Sequence, residues 1–240
     1  MRTTKHVGIL LLATAAIFFA LPAPHISAQN QKQDQNQDLK TVLAKLDAAA
    51  ANFHSTSADF QFDSVQTDPV PDTETQKGTI YYERNGKNFQ MAAHIAEENG
   101  KQVPKVYSYS KGVFRLYEKL VNQVTTYKND KLASYLLLGF GASGKEIADK
   151  WTIIYDGQEK LNGVNTDKLE LVAKDANARK NVKKVTVWMD TAHAVSMKQV
   201  MDQGEGMTRT SVYTNFKFNQ ALPSDAFTFK TDSKTQYVNR

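Results

Sequence analysis

Apolar side chains at Leu39, Val42, Leu43, Leu46, Ala50 and Phe53 recur every three to four positions, which predicts an amphipathic helix from a capping Asp38 to about His54. At Ser57 the period changes to two. Ala58, Phe60 and Phe62 alternate with Asp59, Gln61 and Asp63, the signature of a half-buried antiparallel strand. Further strands are predicted over residues 75–84 and 87–96, joined by Asn85-Gly86, and over 103–110, 113–118 and 121–127, with Lys111-Gly112 turning between the first two of these. They resume at 151–160 and 164–173 around Asn162-Gly163, then at 182–190, 195–202, 207–218 and a short 227–230. The connections are too short for crossover helices, so the strands run antiparallel. About a dozen strands in one meander must curl to avoid long exposed edges. The expectation is a mainly β chain with a few helices, built as one strongly curved antiparallel sheet that forms an incomplete barrel covered by a helical lid.

Residues 130–150 are the one predicted helical interruption inside the sheet. Leu132, Tyr135, Leu136 and Leu138 are apolar, Gly139 to Gly144 follows, and Ser143 with Glu146 makes a capping-box pattern for a short helix. The segment reads as a lid with a flexible glycine hinge. Its glycines match G-x-G-x-x-G, but no βαβ repeat surrounds them, and Glu146 stands where a phosphate-binding loop needs Ser or Thr. Nucleotide binding is therefore set aside.

The ends of the chain carry different information. Arg2, Lys5 and His6 precede an apolar run over 7–21, then Pro22, Pro24 and small residues to Ala28, the pattern of a cleavable secretory signal. The run is shorter than the ~20 residues that span a bilayer. The domain reading is a signal peptide at 1–28, a flexible polar leader at 29–37 and a single β domain at 38–240. It places the mature protein in the periplasm.

Composition narrows the chemistry. The 240 residues hold no cysteine, which removes disulfides, thiolate metal sites, thiol nucleophiles and a lipidated N-terminal cysteine. A net charge of +5, spread along the chain, does not mark a nucleic-acid binder. His54, His94 and His193 lack zinc spacing, and no G-x-S-x-G elbow occurs. No catalytic residue, metal or cofactor is expected, and the chain is read as a non-enzyme and a monomer. What stands out is an apolar set on the predicted strands: Phe60, Phe62, Ile80, Tyr82, Phe89, Met91, Tyr107, Tyr109, Trp188, Met189, Met197 and Met201. Flexible thioethers and aromatic rings suit a pocket for acyl chains, although the same residues also serve an ordinary core. Arg84 shares a strand face with Ile80 and Tyr82, so a cation ends an apolar row where it needs oxygen partners.

In their order these features resemble the LolA family of periplasmic lipoprotein carriers, over nearly the whole mature chain. The matching residues are the opening helix with Ser57-Ala58-Asp59-Phe60, the strand Gly78-Thr79-Ile80-Tyr81-Tyr82-Glu83-Arg84 leading to Phe89, and Gly112 leading to Leu116-Tyr117 and Gln123-Val124. Later come Leu136 to Gly139, Trp151, Leu169-Glu170-Leu171, Phe216 and Phe227-Thr228-Phe229. The resemblance implies an incomplete barrel with a helical lid over an apolar cavity. It also implies non-enzymatic carriage of lipoprotein acyl chains from an inner-membrane ABC transporter to an outer-membrane receptor. Arg84 aligns with the family arginine that holds the lid shut, which assigns lid control to Arg84, Leu136, Leu138, Gly139 and Gly141. Asn85 replaces the usual proline, Lys111 replaces the usual aspartate, and the Pro-Gly turn after Phe229 is missing, so the branch is divergent and another lipid could be the cargo. A periplasmic lipid-sensing regulator or a structural β-protein on the same fold are the alternatives.

Overall fold

The computed structural model describes residues 28–86, 88–128 and 138–240. The signal peptide expected over residues 1–28 lies outside the described residues except for Ala28. Helix α1 spans Ala28–Ala51, so residues 29–37, expected as a loose leader, are helical in backbone. A helix started by the apolar face beyond them propagates at low cost per residue.

Among the described residues twelve strands follow: β1 (Ser55–Gln66), β2 (Asp72–Asn85), β3 (Asn88–Glu98), β4 (Lys101–Ser110), β5 (Val113–Glu118) and β6 (Gln123–Lys128), then, after helix α2 (Gly144–Lys150), β7 (Trp151–Leu161) and β8 (Val164–Ala173). The short helix α3 (Ala178–Asn181) leads to β9 (Lys184–Asp190), β10 (Val195–Gly204), β11 (Met207–Phe218) and β12 (Gln236–Asn239). All belong to one sheet in the order β12-β6-β5-β4-β3-β2-β1-β11-β10-β9-β8-β7. The end strands β12 and β7 do not pair, so the curved sheet is an incomplete barrel. The turns Lys111-Gly112 and Asn162-Gly163 have both residues at positive φ, the backbone that matches hairpin twist, which is why those dipeptides announced them.

Register divides the side chains between two faces. Across β1–β4 the inner face carries Ala58 opposite Ile80, Ile80 opposite Ala93 and Ala93 opposite Tyr107. Two buried clusters sit on this face. One joins Val42 and Leu46 of α1 and Ile147 of α2 to Leu169, Leu171, Val185, Val187 and Met189, packing the β7–β10 half of the sheet. The other joins Phe53, Phe60, Ile80, Tyr82, Met91, Phe140, Val195 and Tyr213, mostly from β1–β3 and β11.

The last part of the chain departs from expectation. Residues 227–230 are not a strand. Residues 219–235 instead form a strap across the outer face, where Ala226 O lies 2.8 Å from His94 Nε2, Phe229 stacks on Tyr117 at 5.0 Å, and Asp232 accepts from Asn122 at 3.0 Å. Beyond it β12 pairs parallel to β6, the exception in an otherwise antiparallel sheet. Only a connection this long can cross a face and return in the same direction.

Candidate functional site

Strand β2 carries the site's cation. Arg84 follows Ile80 and Tyr82 on the inner face, and its own amide donates to His54 O at 2.7 Å, which ties the strand end to the chain leaving α1. Its guanidinium donates from Nη1 to Gly141 O at 2.5 Å and to Glu146 Oε2 at 3.2 Å, from Nη2 to Glu146 Oε1, and from Nε to Gly86 O at 3.1 Å. Planar, multidentate donation of this kind is what distinguishes Arg from Lys.

Glu146 was visible in the sequence only as a helix cap. The capping box is present: Ser143 Oγ accepts from the Glu146 amide at 3.1 Å, and Glu146 Oε2 accepts from the Ser143 amide at 2.9 Å. The same carboxylate also binds Arg84, so one side chain joins the α2 N-terminus to β2. Burial pulls the Glu146 pKa upward, but the Arg84 and Ser143 hydrogen bonds outweigh it and hold the group below its ordinary value. Burial opposes the Arg84 charge, and Glu146 more than compensates, leaving that pKa raised.

The glycine-rich segment, expected as a flexible hinge, is packed against β10 and α1 in this structure. Gly141 N donates to Ala194 O at 2.8 Å, Ser196 N donates to Gly139 O at 2.9 Å, and Phe140 bridges to Val195, so residues 139–141 are stitched to the start of β10. Phe140 is buried between Tyr82, 5.8 Å away, and Tyr213, 5.1 Å away. Gly141 has φ +67 and abuts the Phe53 ring, while at Gly144 an added Cβ would lie 2.7 Å from Leu43 Cα. These glycines let backbone and rings approach, which is a packing role. Leu138 is buried in the cluster under α1 and α2, whereas Leu136 lies outside the described residues.

The apolar residues separate by face. Phe60, Ile80, Tyr82 and Met91 lie in the inner cluster, with Phe62, Phe89 and Tyr107 packed half-buried against it. Ring contacts extend this surface from Phe60–Phe62 at 4.1 Å through Tyr82–Phe89 at 5.5 Å, Phe89–Tyr109 at 5.0 Å and Tyr107–Phe114 at 5.7 Å to Tyr127, 6.0 Å from Phe114. Helices α1 and α2 pack the other half of the sheet, where Met189 and Met201 sit against them. The inner face of β1–β6 is thus an aromatic floor in which Phe60, Tyr82 and Tyr109 are buried while Phe62, Phe89, Tyr107, Phe114 and Tyr127 stay partly accessible.

Trp188 does not join this floor. It pairs with Lys168 and Lys198, one residue out of phase with Val187 and Met189, and therefore faces outward. There its indole donates to Glu159 at 2.6 Å beneath the Lys198 ammonium at 4.6 Å. Met197 sits at a bulge between Ser196 and Lys198, buried but in neither inner cluster.

Cavities lined by described residues include two that border the elements above. A pocket of about 160 Å³ lies against α2, lined by Leu138, Ala142, Glu146, Ile147 and Trp151. An outer-face groove of about 940 Å³ runs between the strap at Gln220 to Pro223 and Asp59, Thr79, Tyr81 and Lys217. Among the described residues no cluster of His, Asp and Glu could hold a metal, and no helix is long and apolar enough to cross a membrane.

No family model matches the chain, and no curated protein matches it. Solved structures do. An uncharacterized conserved protein from Thermus thermophilus superposes with a TM-score of 0.53 at 12% identity, over 85% of this chain and 100% of that one. MucB superposes at 0.50 and 13% identity, over 84% of this chain and 66% of MucB. A LolA superfamily protein from Nitrosomonas europaea is also among the matches, at 0.38 and 13% identity, over 80% of this chain and 97% of that one. At such identities the likeness concerns architecture alone: the chain shares its fold with the Thermus thermophilus protein and MucB, here an incomplete barrel with helices on its inner face.

Proposed function

We propose that this protein is an exported, non-enzymatic carrier that holds acyl chains of lipoproteins or of another lipid on the aromatic floor of β1–β6. The observation that carries the reading is the contrast between the two halves of one inner face. The β7–β10 half is filled by α1 and α2, while the β1–β6 half presents half-buried Phe62, Phe89 and Tyr107 beside a pinned segment at 138–142. A continuous apolar surface of this kind marks a binding site, and each methylene transferred onto it from water contributes about 0.8 kcal/mol. Arg84 holds the closed state through Gly141 and Glu146, and ligand entry replaces those contacts. Delivery from an inner-membrane ABC transporter to an outer-membrane receptor in the periplasm is the cellular role this suggests, in keeping with the resemblance of the sequence to LolA carriers.

Native mass spectrometry of freshly purified protein tests the reading, together with displacement of an environment-sensitive apolar dye by a fatty-acyl ligand. Co-purified lipid and competitive dye release are expected. Absence of both would favour a structural β-protein.

A further inference from the structure

We propose that the Tyr82 hydroxyl is the polar reader of the binding site, donating a hydrogen bond to the ester carbonyl of an acyl ligand; this rests on the carrier reading above. Tyr82 is fully buried, and its hydroxyl has no hydrogen-bond partner among the described residues. An unpaired buried polar group is costly, and phenylalanine would fill the same space without that cost. Tyr213, the other deeply buried tyrosine of this cluster, is by contrast hydrogen-bonded to Ser211.

The surroundings define what Tyr82 can recognise. Its ring is enclosed by Phe53 at 5.6 Å, Phe89 at 5.5 Å and Phe140 at 5.8 Å. Phe140 belongs to the segment that Arg84 pins, so displacing that segment uncovers the tyrosine. Burial keeps the phenol neutral by raising its pKa; the nearby Arg84 charge lowers it less, and Glu146 raises it further. The Arg84 donors are committed to Gly86, Gly141 and Glu146, and the Glu146 carboxylate to Arg84 and Ser143, which leaves the Tyr82 hydroxyl as the uncommitted donor. One such donor on an aromatic floor selects a ligand with one acceptor next to a long apolar chain. An acyl ester has that form.

A ligand pair differing only in the carbonyl tests this: 1-monopalmitoylglycerol and its ether counterpart 1-O-hexadecylglycerol, each titrated by dye displacement. Wild type should bind the ester about five- to tenfold more tightly than the ether, the range of one neutral hydrogen bond. Tyr82→Phe should erase that preference, keep the ether affinity, and melt at the same or a higher temperature. Equal wild-type affinities for both ligands, or a preference that survives in Tyr82→Phe, would overturn the inference and leave the carrier reading standing. Binding of neither ligand would overturn both.

Discussion

Replacing Arg84 with leucine isolates the closing latch. The substitution keeps apolar bulk beside Phe89 and deletes three sets of donor contacts. The bond to Gly141 O has a charged donor and a partly buried setting, and contributes about 1.5 kcal/mol. Glu146 is 38% exposed against 15% for Arg84, so solvent screens that pair and reduces its share to about 0.5–1 kcal/mol. The bond to Gly86 O is exposed and local and adds little. The closed state should therefore lose about 2–2.5 kcal/mol, and at 1.4 kcal/mol per factor of ten the segment should open about 30- to 60-fold more often. Hydrogen exchange reads this directly, because the Gly141 and Ser196 amides are the ones that hold the segment to β10. Both should exchange faster in Arg84→Leu by that factor, with β8–β9 amides unchanged. A bound acyl ligand should leave more slowly, since the closed state that competes with it is weakened. Unchanged exchange of Gly141 and Ser196 in a folded variant, or a faster ligand off-rate, would show that Arg84 is an ordinary structural cation.

Glu146 links the latch to pH. Its folded pKa lies below the ordinary 4.5, so the stabilisation it gives is full above about pH 4.5 and is lost as pH falls through the folded value. Dye entry into wild type should rise on acidification below pH 4.5, and the change should be absent in Glu146→Gln. Gly144→Ala drives a methyl into the backbone at Leu43 where α1 and α2 cross, and should cost about 1–3 kcal/mol in urea denaturation. Leu46→Ala empties a fully buried position under α1 and should cost about 2–5 kcal/mol by the same measurement. Phe89→Ala should weaken acyl-ligand binding, whereas Trp188→Phe, on the outer face, should leave the dissociation constant unchanged; an equal loss in both would contradict the placement of the floor.

Much of this architecture is local and therefore legible in the sequence. A period of two assigned the strands, because alternation is imposed by the pleat itself, and the turns at Lys111-Gly112 and Asn162-Gly163 follow from which residues tolerate positive φ. The Ser143–Glu146 cap spans three residues and needs nothing from the rest of the fold. Arg84 could be placed on the face of Ile80 and Tyr82 by counting. Counting also shows that Trp188 and Met189, being adjacent, cannot share a face, but which of the two turns inward was decided by packing, Met189 joining Val187 and Leu169 in the buried cluster. At Met197 a bulge resets the alternation, and bulges leave no clear sequence mark.

Long-range partners were decided only in three dimensions. Glu146 lies 62 residues from Arg84, and no spacing rule connects an acid in a helix cap to a cation on a distant strand. The glycines of residues 139–144 have the composition of a hinge, yet contacts with Phe53, Leu43 and β10 make them a packed seam. The strap at 219–235 likewise has strand-like residues such as Phe227 and Phe229, and it is the outer face of β3 and β5, with His94 and Tyr117, that holds it out of the sheet. In each case the sequence set what a segment could do locally, and the surface it met in the folded chain chose among those options.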